Sequence, residues 1–171
     1  MKKGERVLQE TEIEKTRVEM TQIVLPPDTN NHGTAFGGKI AAWVDICAAV
    51  SAQRFCRAAV VTASMDALHF VEPVRLGMIV ILRSQVNRVW NSSMEVGVRV
   101  DTENPKTGEI RHCCSAYLTF VSIDEEGKPI GLPRLRISTE EEKQRWENAQ
   151  FRRDLRLKIR QMRKEKYAEE D

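Results

Sequence analysis

The chain has 171 residues, of which 30% are charged, and its 27 basic and 25 acidic side chains leave a formal net charge of +2. This length fits one domain with a sizeable core, and the near-balance of charge gives no basic field that would indicate nucleic-acid binding. No run of ~18 apolar residues is present, and the polar first residues do not have the pattern of a signal peptide. We therefore expect no membrane insertion and a cytoplasmic location.

Four cysteines are present, without a Cys–x–x–Cys or Cys/His spacing typical of a metal site. In a cytosolic protein this pattern predicts buried, reduced thiols rather than a disulfide framework or a zinc site. Cys113 and Cys114 are adjacent on a predicted strand, so their side chains are expected on opposite faces.

The first part of the chain leads into a helix. Residues 1–15 are polar and are expected to be flexible. Thr16–Leu25 has the β-branched residues of a strand, which Pro26–Pro27 ends because proline cannot donate to a sheet. After the loop Asp28–Ala35, the segment Phe36–Phe55 has no proline and five alanines, which favours a helix beginning near the Gly-Gly pair.

The predicted helix is apolar almost all round, which is typical of a buried helix. Between Lys39 and Arg54 its one charged residue is Asp45. A buried carboxylate is costly unless it is paired or has a chemical role. The small side chains three and four positions away leave room beside it for a substrate or water: Ala41, Ala42, Ala48 and Ala49. Asp45 is therefore the candidate catalytic residue, and the alternative is a solvated aspartate on an exposed side of the helix.

Four more strands are predicted after the helix, separated by short turns: Val60–Phe70, Met78–Trp90, the alternating Met94–Val100, and Glu109–Ile123 as the last strand. One apolar helix with one sheet predicts an α+β fold in which an antiparallel sheet curls around the helix. Such a wrap leaves a long sheet edge and a half-covered helix, so we expect two copies to pair.

The C-terminal segment is the most charged part of the chain. Pro129–Pro133 is typical of a linker, and Ser138–x–x–Glu141 has the form of a capping box that opens a charged helix to about Tyr167. Eight Lys or Arg residues lie between Arg152 and Lys166. This pattern indicates a solvated helix or partly disordered tail, or else a basic arm that contacts an anionic ligand or a neighbouring subunit. The expected division is residues 1–15, a domain at 16–130 and an extension at 131–171.

The loop and helix together, PPDTNNHGTAFGGKIAAWVD, resemble the hotdog-fold acyl-CoA thioesterases, in the branch of the cytosolic acyl-CoA hydrolases and the small bacterial YciA-like enzymes. The similarity covers about residues 16–155. The positions that match the motif of this family are Asp28, Asn30, Gly33, Phe36, Gly37, Gly38 and Asp45.

The resemblance implies an enzyme that hydrolyses fatty acyl-CoA to the free fatty acid and CoA. Asp45 then acts as general base or nucleophile on the thioester carbonyl. Asn30 orients the attacking water or the carbonyl, and faces Asp45 of the other subunit across a dimer interface. The compensating polar group for Asp45 is thus expected from the second subunit. The alternative for Asn30 is an ordinary turn residue.

Gly37 and Gly38 have a separate rationale, because N–H groups at a helix start lack intrahelical partners and carry partial positive charge. They are candidates for binding the oxyanion. The alternative interpretation of the Gly-Gly pair is a tight loop packed against the sheet, and the two roles are compatible. By resemblance, the CoA phosphates are expected near the hairpin residues Arg88, Asn91, Ser92 and Ser93, with Arg57 and Lys106 as weaker candidates. Each of these residues also fits an ordinary surface position.

No metal or redox cofactor is implied, and dimers that assemble into a hexamer are expected. Two alternatives stay open. One is a non-catalytic acyl-CoA-binding sensor with a hotdog fold. The other is a hotdog dehydratase or hydratase, which generally relies on a catalytic histidine that the helix lacks. His32, His69 and His112 form no recognisable triad, and no G-x-S-x-G motif is present.

Overall fold

The computed structural model describes residues 10–168, which form two sheets and two α-helices. In chain order the elements are β1 (Glu10–Glu12), β2 (Val18–Ile23), α1 (Gly37–Cys56), β3 (Ala59–Met65), β4 (Ile79–Val89), β5 (Ser93–Glu103), β6 (Ile110–Ile123), β7 (Arg134–Arg136) and α2 (Glu140–Ala168). The main sheet is antiparallel with the order β2-β4-β5-β6-β3, and β1 pairs with β7 in parallel.

The main sheet wraps around α1, which contacts all five of its strands. The inward-facing side chains of β4, β5 and β6 form one core with the helix residues Ile40, Val44 and Cys47. Burying each large apolar side chain contributes roughly 1.5–3 kcal/mol, so this wrap is the main source of stability. The predicted α+β architecture, an antiparallel sheet curled around an apolar helix, is confirmed.

Strand β3 is shorter than the predicted Val60–Phe70 and ends at Met65. Asp66 still donates its N–H to the Tyr117 carbonyl oxygen at 3.0 Å, and then the chain leaves the sheet. The strand ends here because Asp66 and Ala67 follow it, and Asp and Ala are poor strand formers.

The two adjacent cysteines do not point to opposite faces, and that expectation is wrong. Val100 pairs with Cys114 and Asp101 with His112, so Cys113 is the extra residue of a bulge in β6. Both thiols are buried, and all four cysteines are free.

The segment before β2 is more ordered than the sequence indicates. Ile13–Thr16 forms a 3₁₀ turn whose first and last side chains are buried, and β1 pairs with β7. The expected flexibility is therefore absent in residues 10–15, while residues 1–9 lie outside the described part. Because β7 follows the predicted linker, β6 is not the last strand. The division of the chain at residues 15 and 130 stays a prediction.

The capping box of α2 is displaced by one residue from the predicted Ser138–x–x–Glu141. The Thr139 hydroxyl oxygen accepts from the Glu142 N–H at 3.2 Å, and the Glu142 carboxylate accepts from the N–H groups of Ser138 and Thr139 at 2.8 and 3.2 Å. Both halves of the box are satisfied in this register, so α2 begins at Glu140.

The first half of α2 packs on the outer face of the sheet. Ala149 is buried, and Glu95 of β5, which is 0% exposed, forms ion pairs with Arg152 and Arg156. The Arg152 guanidinium also lies 3.6 Å from the centre of the Tyr117 ring. A solvated or disordered tail is thus the wrong interpretation for this half of the helix.

Candidate functional site

Asp45 lies in the third turn of α1, where the helix faces the edge strand β3. Its Oδ1 accepts a hydrogen bond from the Thr62 hydroxyl of β3 at 2.8 Å. This bond holds one carboxylate oxygen in place and leaves Oδ2 for another partner. The donor comes from the same chain, whereas the sequence predicted that the compensating group would come from a second subunit.

The side of α1 that carries Asp45 is not fully buried, as expected for a single chain whose sheet covers only half of the helix. Asp45 itself is half-buried, Ala42 is exposed and Ile46 is 54% exposed. The sheet covers one side of the helix, and this second side stays open in the single chain. Ile46 gives this open side of the helix a partly apolar surface next to the carboxylate.

The start of α1 presents free backbone amides. Phe36 is the N-cap, and its carbonyl accepts from the N–H groups of Lys39 at 2.9 Å and Ile40 at 3.2 Å. The N–H groups of Gly37 and Gly38 therefore have no acceptor within the helix. A side chain at Gly38 would meet nothing within 4 Å, whereas one at Gly37 would lie 3.3 Å from the Phe70 ring. Gly38 thus offers open access to the helix start.

Asn30 organises the loop before α1. Its Oδ1 accepts from the His32 N–H at 2.9 Å and from the Thr34 N–H at 3.3 Å, and its Nδ2 donates to the Thr34 hydroxyl at 3.0 Å. Gly33 completes this turn with a φ of +71°, which glycine adopts without strain. No hydrogen bond joins Asn30 to Asp45 of the same chain within residues 10–168. The second N–H of its amide has no acceptor in that part, and it is therefore available to another partner.

Asp28 fixes the other end of this loop, a contribution that sequence reasoning missed although the residue belongs to the matching motif. The buried carboxylate accepts from the Leu25 N–H at 3.0 Å and pairs with Lys39 of α1 at 2.9 Å. The Leu25 hydrogen bond, followed by the Lys39 ammonium, lowers the pKa of Asp28 below its usual value. The ionised form therefore ties the loop to the first turn of the helix.

The predicted CoA-binding residues are spread around the β4–β5 hairpin. Arg88 lies under α2, where it donates to the Trp146 carbonyl at 3.1 Å and stacks on the Trp146 ring at 4.3 Å. The carbonyls of Asn91 and Ser92 accept from neighbouring backbone N–H groups, and the Ser93 hydroxyl accepts from Arg153 at 3.2 Å. Within the described part of the chain, no hydrogen bond joins any of these four residues to Asp45.

The two weaker candidates lie elsewhere. Arg57 ends α1 in the left-handed conformation, and Lys106 is in the β5–β6 turn.

Two further properties bear on function. Within the described part of the chain, no group of three His, Cys, Asp or Glu residues is arranged to hold a metal ion. None of the described helices has the length and apolarity needed to cross a membrane.

In a comparison with known families, residues 32–109 match the model of the thioesterase superfamily. A Bacillus subtilis protein described as an uncharacterized acyl-CoA thioester hydrolase, YkhA, is 46% identical over 128 residues. The match covers 75% of this chain and 74% of that protein.

Solved structures show the same relationship. An apo-hexameric acyl-CoA thioesterase superposes with a TM-score of 0.85 and 42% identity, covering 88% of this chain and 97% of that one. A Staphylococcus aureus acyl-CoA hydrolase, solved with butyryl-CoA, CoA and CoA disulfide, superposes with a TM-score of 0.83 and 32% identity, covering 94% and 97%. The same enzyme has been solved with an asparagine, an aspartate and a threonine each replaced by alanine.

Proposed function

Because the chain belongs to the hotdog-fold thioesterase superfamily, we propose that it hydrolyses fatty acyl-CoA to the free acid and CoA, with Asp45 as the catalytic carboxylate. The activity of a thioester hydrolase agrees with the descriptions of its relatives at 46% and 42% identity. The observation that carries the assignment of Asp45 is its hydrogen bond to Thr62 on a side of α1 that the sheet leaves uncovered. A carboxylate held by one oxygen beside accessible space suits general base or nucleophilic chemistry.

The spacing of residues supports the same three positions. In the Staphylococcus aureus enzyme, the replaced asparagine and aspartate are 15 residues apart, and the threonine follows 17 residues later. Asn30, Asp45 and Thr62 have the same separations in this chain. We infer that these three side chains form the reactive part of the site.

The chemistry follows from the free Oδ2 of Asp45. As a general base it takes a proton from water while the oxygen of that water forms a bond to the thioester carbon. As a nucleophile it forms that bond itself, and water then hydrolyses the mixed anhydride. Either way the C–S bond breaks and CoA leaves as the thiol. The negative charge that develops on the carbonyl oxygen needs hydrogen-bond donors. The backbone amides of Gly37 and Gly38 and the free side-chain N–H of Asn30 supply them.

The geometry of α1 supports a site that two copies share. Asp45 lies seven positions after Gly38, which at 1.5 Å per residue separates their backbones by about 10 Å along the helix axis. One thioester group does not span that distance. The donors for a carbonyl at Asp45 therefore come from the Asn30 loop of a second copy.

Edge strand β3 is where such a second copy would pair. Exposed apolar side chains near α1 give a surface for the acyl chain between the copies: Phe36, Ile46 and Phe70. The hexameric relative supports further assembly into a trimer of dimers.

The test is free thiol released from palmitoyl-CoA by the protein and by Asp45→Asn. We expect a loss of turnover of at least about 10²-fold, the usual contribution of a positioned acid or base. Asp154→Asn, on the exposed side of α2, is the matched control and should keep full activity. Undiminished turnover in Asp45→Asn would remove Asp45 from the mechanism, and CoA binding without thiol release by the unmodified protein would favour a sensor.

A further inference from the structure

A serine, a histidine and an aspartate lie in a row on the outer face of the main sheet, away from α1 and Asp45. The Ser115 hydroxyl oxygen is 3.3 Å from Nε2 of His112, and Nδ1 of His112 is 3.2 Å from Oδ1 of Asp101. Val100 belongs to the core around α1, so Asp101, the next residue of β5, faces outward. The imidazole therefore lies between a hydroxyl and a carboxylate.

The bulge in β6 produces this arrangement. In a regular strand His112 and Ser115, three positions apart, would point to opposite faces of the sheet. Because Cys113 is the extra residue of the bulge, His112 pairs with Asp101 and Ser115 pairs with Arg99. Both side chains thus reach the outer face. The sequence alone indicated no triad because the bulge depends on the pairing with β5.

Asp101 is fixed in place from the side opposite His112. It is 3% exposed, and its Oδ2 accepts from Arg83 at 3.2 Å and from Arg99 at 2.9 Å. A carboxylate only accepts hydrogen bonds, so the proton of the neutral imidazole is on Nδ1 and points to Oδ1. Nε2 is then the acceptor that faces the Ser115 hydroxyl. These are the relations of a nucleophile, its general base and the group that orients the base.

The hydroxyl of Ser115 borders a cavity of about 620 Å³ between the outer face of the sheet and the first two turns of α2. Small-molecule sites commonly have this size. Arg99 also lines the cavity and pairs with Ser115 across the two strands, where Cβ atoms lie about 5 Å apart. Its side chain is 57% exposed, so its guanidinium is accessible to a carbonyl oxygen that gains negative charge.

We propose that Ser115, His112 and Asp101 form a second acyl-transfer site, which hydrolyses esters of short carboxylic acids. Oγ of Ser115 forms a bond to the carbonyl carbon while its proton passes to Nε2 of His112. The C–O bond to the alcohol then breaks, and the departing alkoxide takes that proton. Water hydrolyses the acyl-serine in the same way: His112 takes a proton from the water, and this proton returns to Oγ of Ser115 as the free acid leaves.

The size and lining of the cavity favour a short acyl group. Its apolar surface comes from Val18, Val98 and Tyr117, and most of the remaining lining is charged or polar. Two guanidinium groups share the charge of Asp101, which leaves less of it to stabilise an imidazolium. We therefore expect slow turnover, and a covalent probe of the nucleophile is the most sensitive test.

The experiment treats the full chain with an alkyl fluorophosphonate, which bonds to an activated serine oxygen with loss of fluoride, and locates the label by peptide mass spectrometry. All proteins carry Asp45→Asn, so the proposed thioester site does not contribute. We expect label at Ser115, at a rate about 10²-fold lower in His112→Gln, the usual contribution of a positioned base. His69→Gln replaces an exposed histidine and is the matched control, which should be labelled as fast as its parent.

The activity itself is measured as nitrophenol released from 4-nitrophenyl acetate. We expect Ser115→Ala to remove the turnover that His112→Gln also removes, whereas Ser64→Ala, on β3 of the same sheet, should retain it. The Ser115 side chain is exposed and that of His112 is partly exposed, so neither change should unfold the protein. Matching Tm values of the variants check this.

Four results would overturn the proposal. The labelling experiment does so if Ser115 stays unlabelled, if Ser64 is labelled equally fast, or if His112→Gln reacts as fast as its parent. The ester assay does so if Ser115→Ala keeps the turnover of its parent. Since every protein in the comparison lacks the Asp45 carboxylate, each result is independent of whether the proposed thioesterase function is correct.

Discussion

Thr62→Val removes the hydroxyl that donates to Asp45 and keeps the β-branched shape on edge strand β3. The bond is 2.8 Å long and its acceptor is a carboxylate. Such bonds contribute roughly 1.5–3 kcal/mol, and the exposure of Thr62 places this one at the lower end, because water competes for the donor. A loss of about 1.4 kcal/mol corresponds to about tenfold in rate.

The assay is steady-state thiol release from an acyl-CoA. We expect kcat of Thr62→Val to fall about tenfold with little change in KM, because the hydroxyl positions the reacting carboxylate rather than the CoA. Thr62→Ser keeps the donor and should retain most of the activity. Thr21→Val, on the opposite edge strand β2, is the control for replacing an exposed strand threonine.

Full activity in Thr62→Val would refute the role of this bond. So would a Thr62→Ser variant as slow as Thr62→Val, since that result would assign the effect to packing and not to the hydroxyl.

Three further substitutions test the loop before α1 and the packing and capping of α2. In Asp28→Asn the loop loses its pairing with Lys39. Because the folded-state pKa of Asp28 is lowered from 3.8, its contribution is complete above the unfolded-state pKa and disappears as the pH falls through the folded-state value. Thermal unfolding should show a lower Tm than wild type at pH 7 and a gap that closes below pH 3.8, and a constant gap would contradict this. Glu95→Gln removes the charge paired with Arg152 and Arg156 and should cost about 3 kcal/mol in urea unfolding; no change would show that α2 packs without this charge. Thr139→Ala should cost about 1 kcal/mol and speed amide exchange in the first turn of α2, and unaltered exchange would exclude a capping role.

Much of the fold could be predicted because hydrophobic periodicity determines it directly. The alternating β5 and the apolar run at the start of β4 indicate strands on their own, and the alanine-rich segment around Asp45 indicates a helix. The register of the capping box was one residue off because Ser138–x–x–Glu141 and Thr139–x–x–Glu142 fit the same pattern. The bulge at Cys113 leaves no signal in one sequence, since it depends on the pairing with β5.

The site was predictable only in part. Asp45 stands out because it is a lone carboxylate in an apolar helix, and the loop motif identifies Asn30 by resemblance. Thr62 carries no signal in its own strand, and a search for a donor to Asp45 on the flanking strands is the reasoning that would find it. The packing of α2 on Glu95 depends on contacts across 57 residues or more, which a local pattern does not indicate. The cytoplasmic location and the lack of a cofactor stay predictions.

The most direct test of a shared site is complementation between two inactive variants, Asp45→Asn and Asn30→Ala. In a mixed dimer one site combines both defects, and the other combines the intact Asp45 of one chain with the intact Asn30 of its partner. Random pairing of equal amounts makes half of the dimers mixed, so co-expression should restore about a quarter of wild-type activity. A mixture that stays as inactive as its components would contradict the shared site and place all catalytic groups within one chain.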